Sequence, residues 1–293
     1  MTATEIVEIC LPIPSWFPDH CFNGRVILPA VEAIRLLAAA VQVKYPALNV
    51  QIMGEARFSK FLEIPEGQNK IYIRIEVLAM ADGRVQTRLL TRKQLKAMTR
   101  MTRHCELLFG GCAEVGLRPE PSVVDTNPVV EVPAERIYRE LVPFGPAYRT
   151  LQGQVHLGQD WALGRLRTPD LPVDLPPIGS PFALDGAMHA ACVHGQRLVD
   201  FVPFPVGFAA RIITLPTLPG KEYIIKVNLR SLVADELLYD LLILDHQDKI
   251  RETIVGLRMR DVTAGRIKPP AWIRAEPDIG RNIRVKNGQQ WSS

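Results

Sequence analysis

The sequence is short of the features that most directly assign a function. Its five cysteines, Cys10, Cys21, Cys105, Cys112 and Cys192, are odd in number and form no Cys-x-x-Cys pair. That argues against a disulfide framework or a zinc site, and a reducing, cytoplasmic setting is expected. No run approaches the ~18 apolar residues of a membrane span. The N-terminus lacks a basic start followed by an apolar stretch, so secretion is not implied either. The net charge of +4 is too mild to argue for nucleic acid. Gly-x-Gly-x-x-Gly, P-loop, His-Glu-x-x-His and Gly-x-Ser-x-Gly motifs are all missing, so no cofactor and no metal is expected.

What remains is an ordinary core-forming chain of 293 residues, 47% hydrophobic and 23% charged. Its length suits two domains of common size or one large one. Lys70–Met80 alternates Ile71, Ile73, Ile75 and Val77 with polar residues, the period of a half-buried strand, and Asp82-Gly83 marks a hairpin turn. Asn49–Lys60, Arg84–Thr91 and Thr102–Cys112 are further strand candidates. Ahead of them, Ala30–Val43 carries apolar residues at helical spacing. Residues 1–118 therefore read as one helix with a wrapping antiparallel sheet, an α+β unit. Residues 119–135, rich in proline, read as a linker.

Residues 136–263 repeat the layout. Ala147–Leu157 and Trp161–Arg167 are strand-like, Pro169–Pro181 is a proline-rich loop, and Phe182–Val199 is an apolar helix. Lys221–Ser231, Leu237–Leu244 and Lys249–Asp261 complete the strands. The expectation is two copies of one fold side by side. Residues 264–293, basic and without core periodicity, are expected to form an extended or disordered tail.

Two histidines and one aspartate carry the candidate chemistry. His20 ends an extended segment and precedes a Gly24 turn and Pro29 at the start of the first helix. A neutral imidazole there can take a proton, and free amides at the turn and helix start can hold an oxyanion. The alternative is a turn histidine before an ordinary core helix. In the second helix Asp185 and His189 stand one turn apart among small and apolar residues. Such burial is expected to raise the Asp185 pKa and make it a proton donor. Base in one half and acid in the other describe β-elimination from a β-hydroxyacyl thioester.

These residues resemble the motifs of polyketide synthase dehydratase domains, which are double hotdog folds. His20, Gly24 and Pro29 complete the family's HxxxGxxxxP motif. Leu184, Asp185 and His189 match its Asp motif, LDxxxQ or LDxxxH, while Gly145, Pro146 and Tyr148 match its GPxF or GPxY element. Val202-Pro203-Phe204 is similar to its Leu-Pro-Phe segment. The resemblance spans about Ile6 to Val262. It implies His20 as catalytic base and Asp185 as general acid, with Gly24, Pro29, His189, Tyr148, Gly145 and Pro146 binding or orienting the substrate. The chain departs from the family at Val142 and Phe144, where tyrosines are usual, and at Ser180, where histidine is usual. A cyclase, a double-bond isomerase or a non-catalytic acyl-binding relative on the same fold stays open, as does a homodimer.

The family's dehydratases are usually one domain of a megasynthase. This chain starts at Met1 and ends soon after the fold, so a discrete protein meeting an acyl carrier protein in trans is expected. A carboxylate-free basic stretch, with Arg84, Arg88, Arg92, Lys96 and Arg100 at every fourth position, is the candidate docking face. The alternative is a solvated surface, and nucleic acid is disfavoured because the stretch has no aromatics for base stacking.

Overall fold

A computed structural model describes residues 4–94, 98–111, 129–171 and 177–274. The first unit contains β1 (Thr4–Pro12), β2 (Cys21–Phe22), β3 (Arg25–Ile27), helix α1 (Ala30–Lys44), β4 (Ile52–Phe58), β5 (Glu63–Ile64), β6 (Lys70–Ala79), β7 (Val85–Gln94) and β8 (Thr99–Phe109). The second contains β9 (Val130–Pro133), the short α2 (Ala134–Arg136), β10 (Leu151–Leu157), β11 (Trp161–Arg167), α3 (Pro181–Leu198), β12 (Phe204–Ile213), β13 (Glu222–Val233), β14 (Glu236–Leu244) and β15 (Ile250–Arg260). Among the described residues no helix is long and apolar enough to cross a membrane.

Twelve strands form one antiparallel sheet in the order β1-β6-β7-β8-β4-β12-β15-β14-β13-β11-β10-β9. Each unit wraps its part of the sheet around its own helix: α1 packs on β6, β7 and β8, and α3 on β10, β11, β13 and β14. The apolar stripes of the two helices account for this. Ile34, Leu37, Ala38 and Val41 of α1 are fully buried, as are Ala183, Leu184, Ala187, Ala190 and Ala191 of α3. The small residues of α3 let sheet and helix approach closely. This is the double hotdog arrangement, with the helices lying against each other where the units meet.

The seam between the units is the β4–β12 ladder, in which Gly207 stands opposite Arg57 and Ala210 opposite Gly54. Gly207 is obligatory there. Its φ is +150°, and a Cβ would lie 2.0 Å from the carbonyl oxygen of Ala56. Beside the seam Arg211 donates to Glu252 at 2.6 Å, both wholly buried, and Thr217 Oγ1 reaches Glu252 and the Ser180 carbonyl. Ser180 N–H donates back to Thr217 O at 2.8 Å, fixing the start of α3.

Three expectations are corrected. Val130–Pro133, assigned to the linker, is the edge strand β9, paired with β10 from Gln154 to Leu157. Residues 264–274 are not a loose tail: Ile273 is buried, Trp272 stacks under the Arg136 guanidinium at 3.5 Å, and Lys268 pairs with Asp200. The Asp261 carboxylate begins this segment by accepting from Thr263 N–H and Oγ1. Strands β1 and β12 also lie where no strand was expected. Residues 112–128, most of the expected linker, and residues 275–293 lie outside the described residues.

Candidate active site

His20 follows a short 3-10 turn, Phe17–Asp19, and opens the β2–β3 hairpin. Asn23 and Gly24 form its two-residue turn with φ of 49° and 72°, the signature of a type I′ turn. Gly24 is therefore needed for the turn's backbone conformation and not for space, since a Cβ built on it would meet nothing within 4 Å. The hairpin folds Ile27 back on His20, whose Nδ1 lies 2.8 Å from the Ile27 carbonyl oxygen. Nδ1 therefore carries the hydrogen, and Nε2 is left as the basic nitrogen. Burial lowers the pKa of His20 and outweighs the attraction of Asp185 and the Ile27 hydrogen bond. His20 is thus a neutral base near pH 7.

Pro29 is the N-cap of α1 rather than its first helical residue. The Ala30 amide follows at the helix start, where N–H groups lack intrahelical partners, and Ala30 lines the cavity described below.

In α3, Asp185 and His189 are both more than nine-tenths buried, with Asp185 Oδ2 3.0 Å from His189 Nε2. Their approach is off the line of a good hydrogen bond. Here the expected direction of the Asp185 pKa is overturned. Burial raises it, but the nearby His189 and His20 rings together outweigh burial and leave it lowered. The helix carries both the desolvation and His189, but the His20 ring comes from the other unit. Asp185 and His189 thus form one electrostatic couple.

Tyr138, which sequence reasoning missed, anchors that couple. Its hydroxyl lies 3.3 Å from His189 Nδ1 and accepts the Leu151 N–H at 2.9 Å. Nδ1 of His189 thus meets the Tyr138 hydroxyl while Nε2 faces Asp185. No spacing rule links Tyr138 to His189, because the contact depends on the irregular helical turn Ile137–Leu141.

Phe144 stacks on His20 with ring centroids 4.3 Å apart and also touches His189 at 5.1 Å. Thus one of the two departures from the usual tyrosines places an aromatic ring against both His20 and His189. Tyr148 is fully buried behind the site, edge-on to His20 at 5.1 Å. Gly145 and Pro146 bring Tyr148 and Phe144 into place: Gly145 N–H donates to the Asp19 carbonyl and Ala147 N–H to the Asp19 carboxylate.

His20, Asp185 and His189 open into one cavity of about 490 Å³, walled mainly by apolar residues such as Phe22, Leu141, Val142, Met188 and Phe204. The cavity joins the two units. Gly24, Pro29, Gly145, Pro146 and Tyr148, expected to bind or orient the substrate, do not line it.

The basic stretch does not form one continuous face. Arg88 and Arg92 lie on β7, just after Arg84, and Arg100 lies on the returning β8, opposite Lys93. Arg84 pairs with Asp82, and Arg88 with Glu76 and Glu106, so carboxylates outside the stretch neutralise its first half. Arg92 and Arg100 have no ion pair among the described residues. Lys96 lies outside them.

No family profile and no curated protein matches the sequence. Solved structures do. The dehydratase domain from the CurF module of curacin polyketide synthase superposes with a TM-score of 0.70 at 16% identity, over 88% of this chain and 93% of that one. A trans-AT polyketide synthase dehydratase domain from Brevibacillus brevis gives 0.68 at 13%, over 89% and 94%. The CurK dehydratase, solved as an inactive His-to-Phe mutant, gives 0.69 at 16%, over 89% and 92%. It was also solved as an inactive Asp-to-Asn mutant. The chain shares their double hotdog fold.

Proposed function

We propose that this protein eliminates water from a β-hydroxyacyl thioester. The observation that carries the reading is that His20, from one unit, and the Asp185–His189 couple, from the other, face a single apolar cavity. Neither unit holds the set alone.

His20 Nε2 removes the proton α to the thioester carbonyl, and the electron pair of that C–H bond becomes the new C=C bond. The Ala30 amide at the start of α1 faces the oxyanion that develops on the carbonyl. The C–O bond to the β-hydroxyl breaks as the Asp185–His189 couple delivers its proton, and water leaves. His20 then holds the substrate's proton and the couple is one short, so the cycle closes when that proton returns to the couple through water. A mainly apolar cavity suits this sequence because a low dielectric strengthens both proton transfers. The inactive CurK mutants alter the same two residue types, histidine and aspartate, that hold these roles here.

The thioester arrives on an acyl carrier protein in this reading, and Arg92 and Arg100, without an ion pair among the described residues, are the docking cations. The test is mass-spectrometric detection of water loss from a β-hydroxyacyl N-acetylcysteamine thioester. His20→Ala and Asp185→Asn should each lower turnover by roughly 10²–10⁴, the worth of a positioned acid or base. Wild-type protein that returns the substrate cyclised, isomerised or unchanged would sink the reading.

A further inference from the structure

One row of residues across the outer face of the sheet leaves a charge unanswered. At one register level Glu76 of β6, Arg88 of β7, Glu106 of β8, Arg57 of β4, Gly207 of β12 and Arg258 of β15 stand side by side. The signs alternate as far as Arg57. Arg88 pairs with Glu76 and Glu106, and Arg103 adds a second cation to Glu106 at 2.6 Å. Where the next carboxylate is due, Gly207 stands between two arginines.

The gap is built rather than incidental. Ala56, Leu257 and Met259 turn into the core, so Arg57 and Arg258 point away from it. Neither arginine has an ion pair among the described residues. Arg57 is exposed, and Arg258 donates to the Ala56 carbonyl oxygen at 3.1 Å. That bond carries the Arg258 guanidinium over Gly207, with Nη2 2.6 Å from the place of a Gly207 Cβ. The glycine thus lets one guanidinium lean toward the strand that bears the other. Like charges on neighbouring strands repel, and an anion between them reverses the sign.

The gap also lies beside the cavity mouth. Ser59 and Lys60, exposed residues that line the cavity, follow Arg57 by two and three positions, and Val206, also in the lining, immediately precedes Gly207. At about 3.3 Å per residue, the opening is within ~10 Å of the gap along these strands.

We propose that Arg57 and Arg258 form a carboxylate site at the seam, occupied by one aspartate or glutamate of an acidic carrier protein that delivers the thioester. The inference rests on the dehydratase reading and adds a fixed anchor for its partner, distinct from Arg92 and Arg100. Both units supply it, Arg57 from the first and Arg258 from the second. Arginine suits the role because its planar fork meets a carboxylate with two parallel hydrogen bonds.

The test compares a β-hydroxybutyryl group on a phosphopantetheinylated bacterial acyl carrier protein with the same group on N-acetylcysteamine. In Arg57→Gln, KM for the carrier-bound substrate should rise about tenfold, the worth of one charge-assisted hydrogen bond, while the small thioester is unaffected. Arg258→Gln should act in the same direction, and Arg57→Lys, which keeps the charge and loses the fork, should fall between Arg57→Gln and wild type. An unchanged KM for the carrier-bound substrate in Arg57→Gln overturns the proposal and leaves the dehydratase reading standing. A KM raised equally for both substrates also overturns it. If wild-type protein turns over neither thioester, the dehydratase reading falls and binding alone decides. Calorimetric titration with the same carrier protein that shows affinity in wild-type protein and a tenfold loss in Arg57→Gln keeps the site. No binding, or equal binding by both proteins, overturns it.

Discussion

Tyr138→Phe removes one oxygen and leaves the ring where it is, which makes it a sharp probe of the acid couple. In the native protein that oxygen lies against His189 Nδ1 and accepts the Leu151 N–H. Its loss strands a buried N–H, worth ~1–3 kcal/mol, and frees the imidazole to turn or change tautomer. Taking about 2 kcal/mol, and 2–4 °C per kcal/mol for a chain approaching this size, the melting temperature should fall by roughly 4–8 °C. The catalytic effect is separable from this. With Nε2 no longer held toward Asp185, the couple delivers its proton from a poorer position, and kcat should fall about tenfold with little change in KM. His189→Gln keeps a donor of similar reach and should retain more activity than His189→Ala. The assays are thermal denaturation and steady-state dehydration well below the variant's melting point. A destabilised variant with wild-type kcat would make Tyr138 purely structural. A variant unchanged in both would refute the hydrogen-bonded chain itself.

Two further outcomes follow from the electrostatics. Because burial lowers the His20 pKa and the neutral ring is the active form, kcat/KM should be fully present above pH 6.5 and fall as the pH drops through the lowered value; an acid limb centred above 6.5 would contradict this base. At the surface, Arg92→Glu with Arg100→Glu should raise KM for a carrier-bound substrate and spare a small thioester, with a difference that shrinks as salt is added. Arg88→Glu should instead destabilise the fold, since Glu76 and Glu106 already face that position, and equal KM changes for both substrates would count against docking.

Much of the site was legible because it sits on local patterns. The α1 and α3 stripes have helical period, and the His20-Gly24-Pro29 and Asp185-His189 spacings survive as written. What was not legible depends on long-range pairing. Strand β12 reads poorly because Pro205 and Gly207 interrupt its alternation, yet both serve the seam, where β12 shifts register against β15 and meets β4. Residues 264–274 lack periodicity because they are held one contact at a time, by Asp261, Asp200 and Arg136, rather than by a repeating face. The Asp185 pKa departs for a related reason: the helix sequence reports the burial and the His189 ring one turn away, while the His20 ring is brought to it by the fold.

The Gly145-Pro146 element shows how a legible motif can conceal its own mechanism. Its residues do not touch the cavity, so substrate contact does not explain why glycine stands there. The cause is Asp19, the residue before the base. Its carbonyl takes the Gly145 N–H at 2.7 Å and its carboxylate takes the Ala147 N–H at 2.8 Å, across 126 and 128 residues of chain. A Cβ on Gly145 would lie 2.3 Å from Asp19 Oδ1, so only glycine admits the carboxylate. The same turn carries Phe144 onto the face of His20 and Tyr148 onto its edge. Asp19 thus fastens the segment bearing His20 to the unit bearing Asp185. A site divided between two units needs such a fastening, since a shift of about 1 Å between acid and base is enough to cost on the order of a hundredfold in rate.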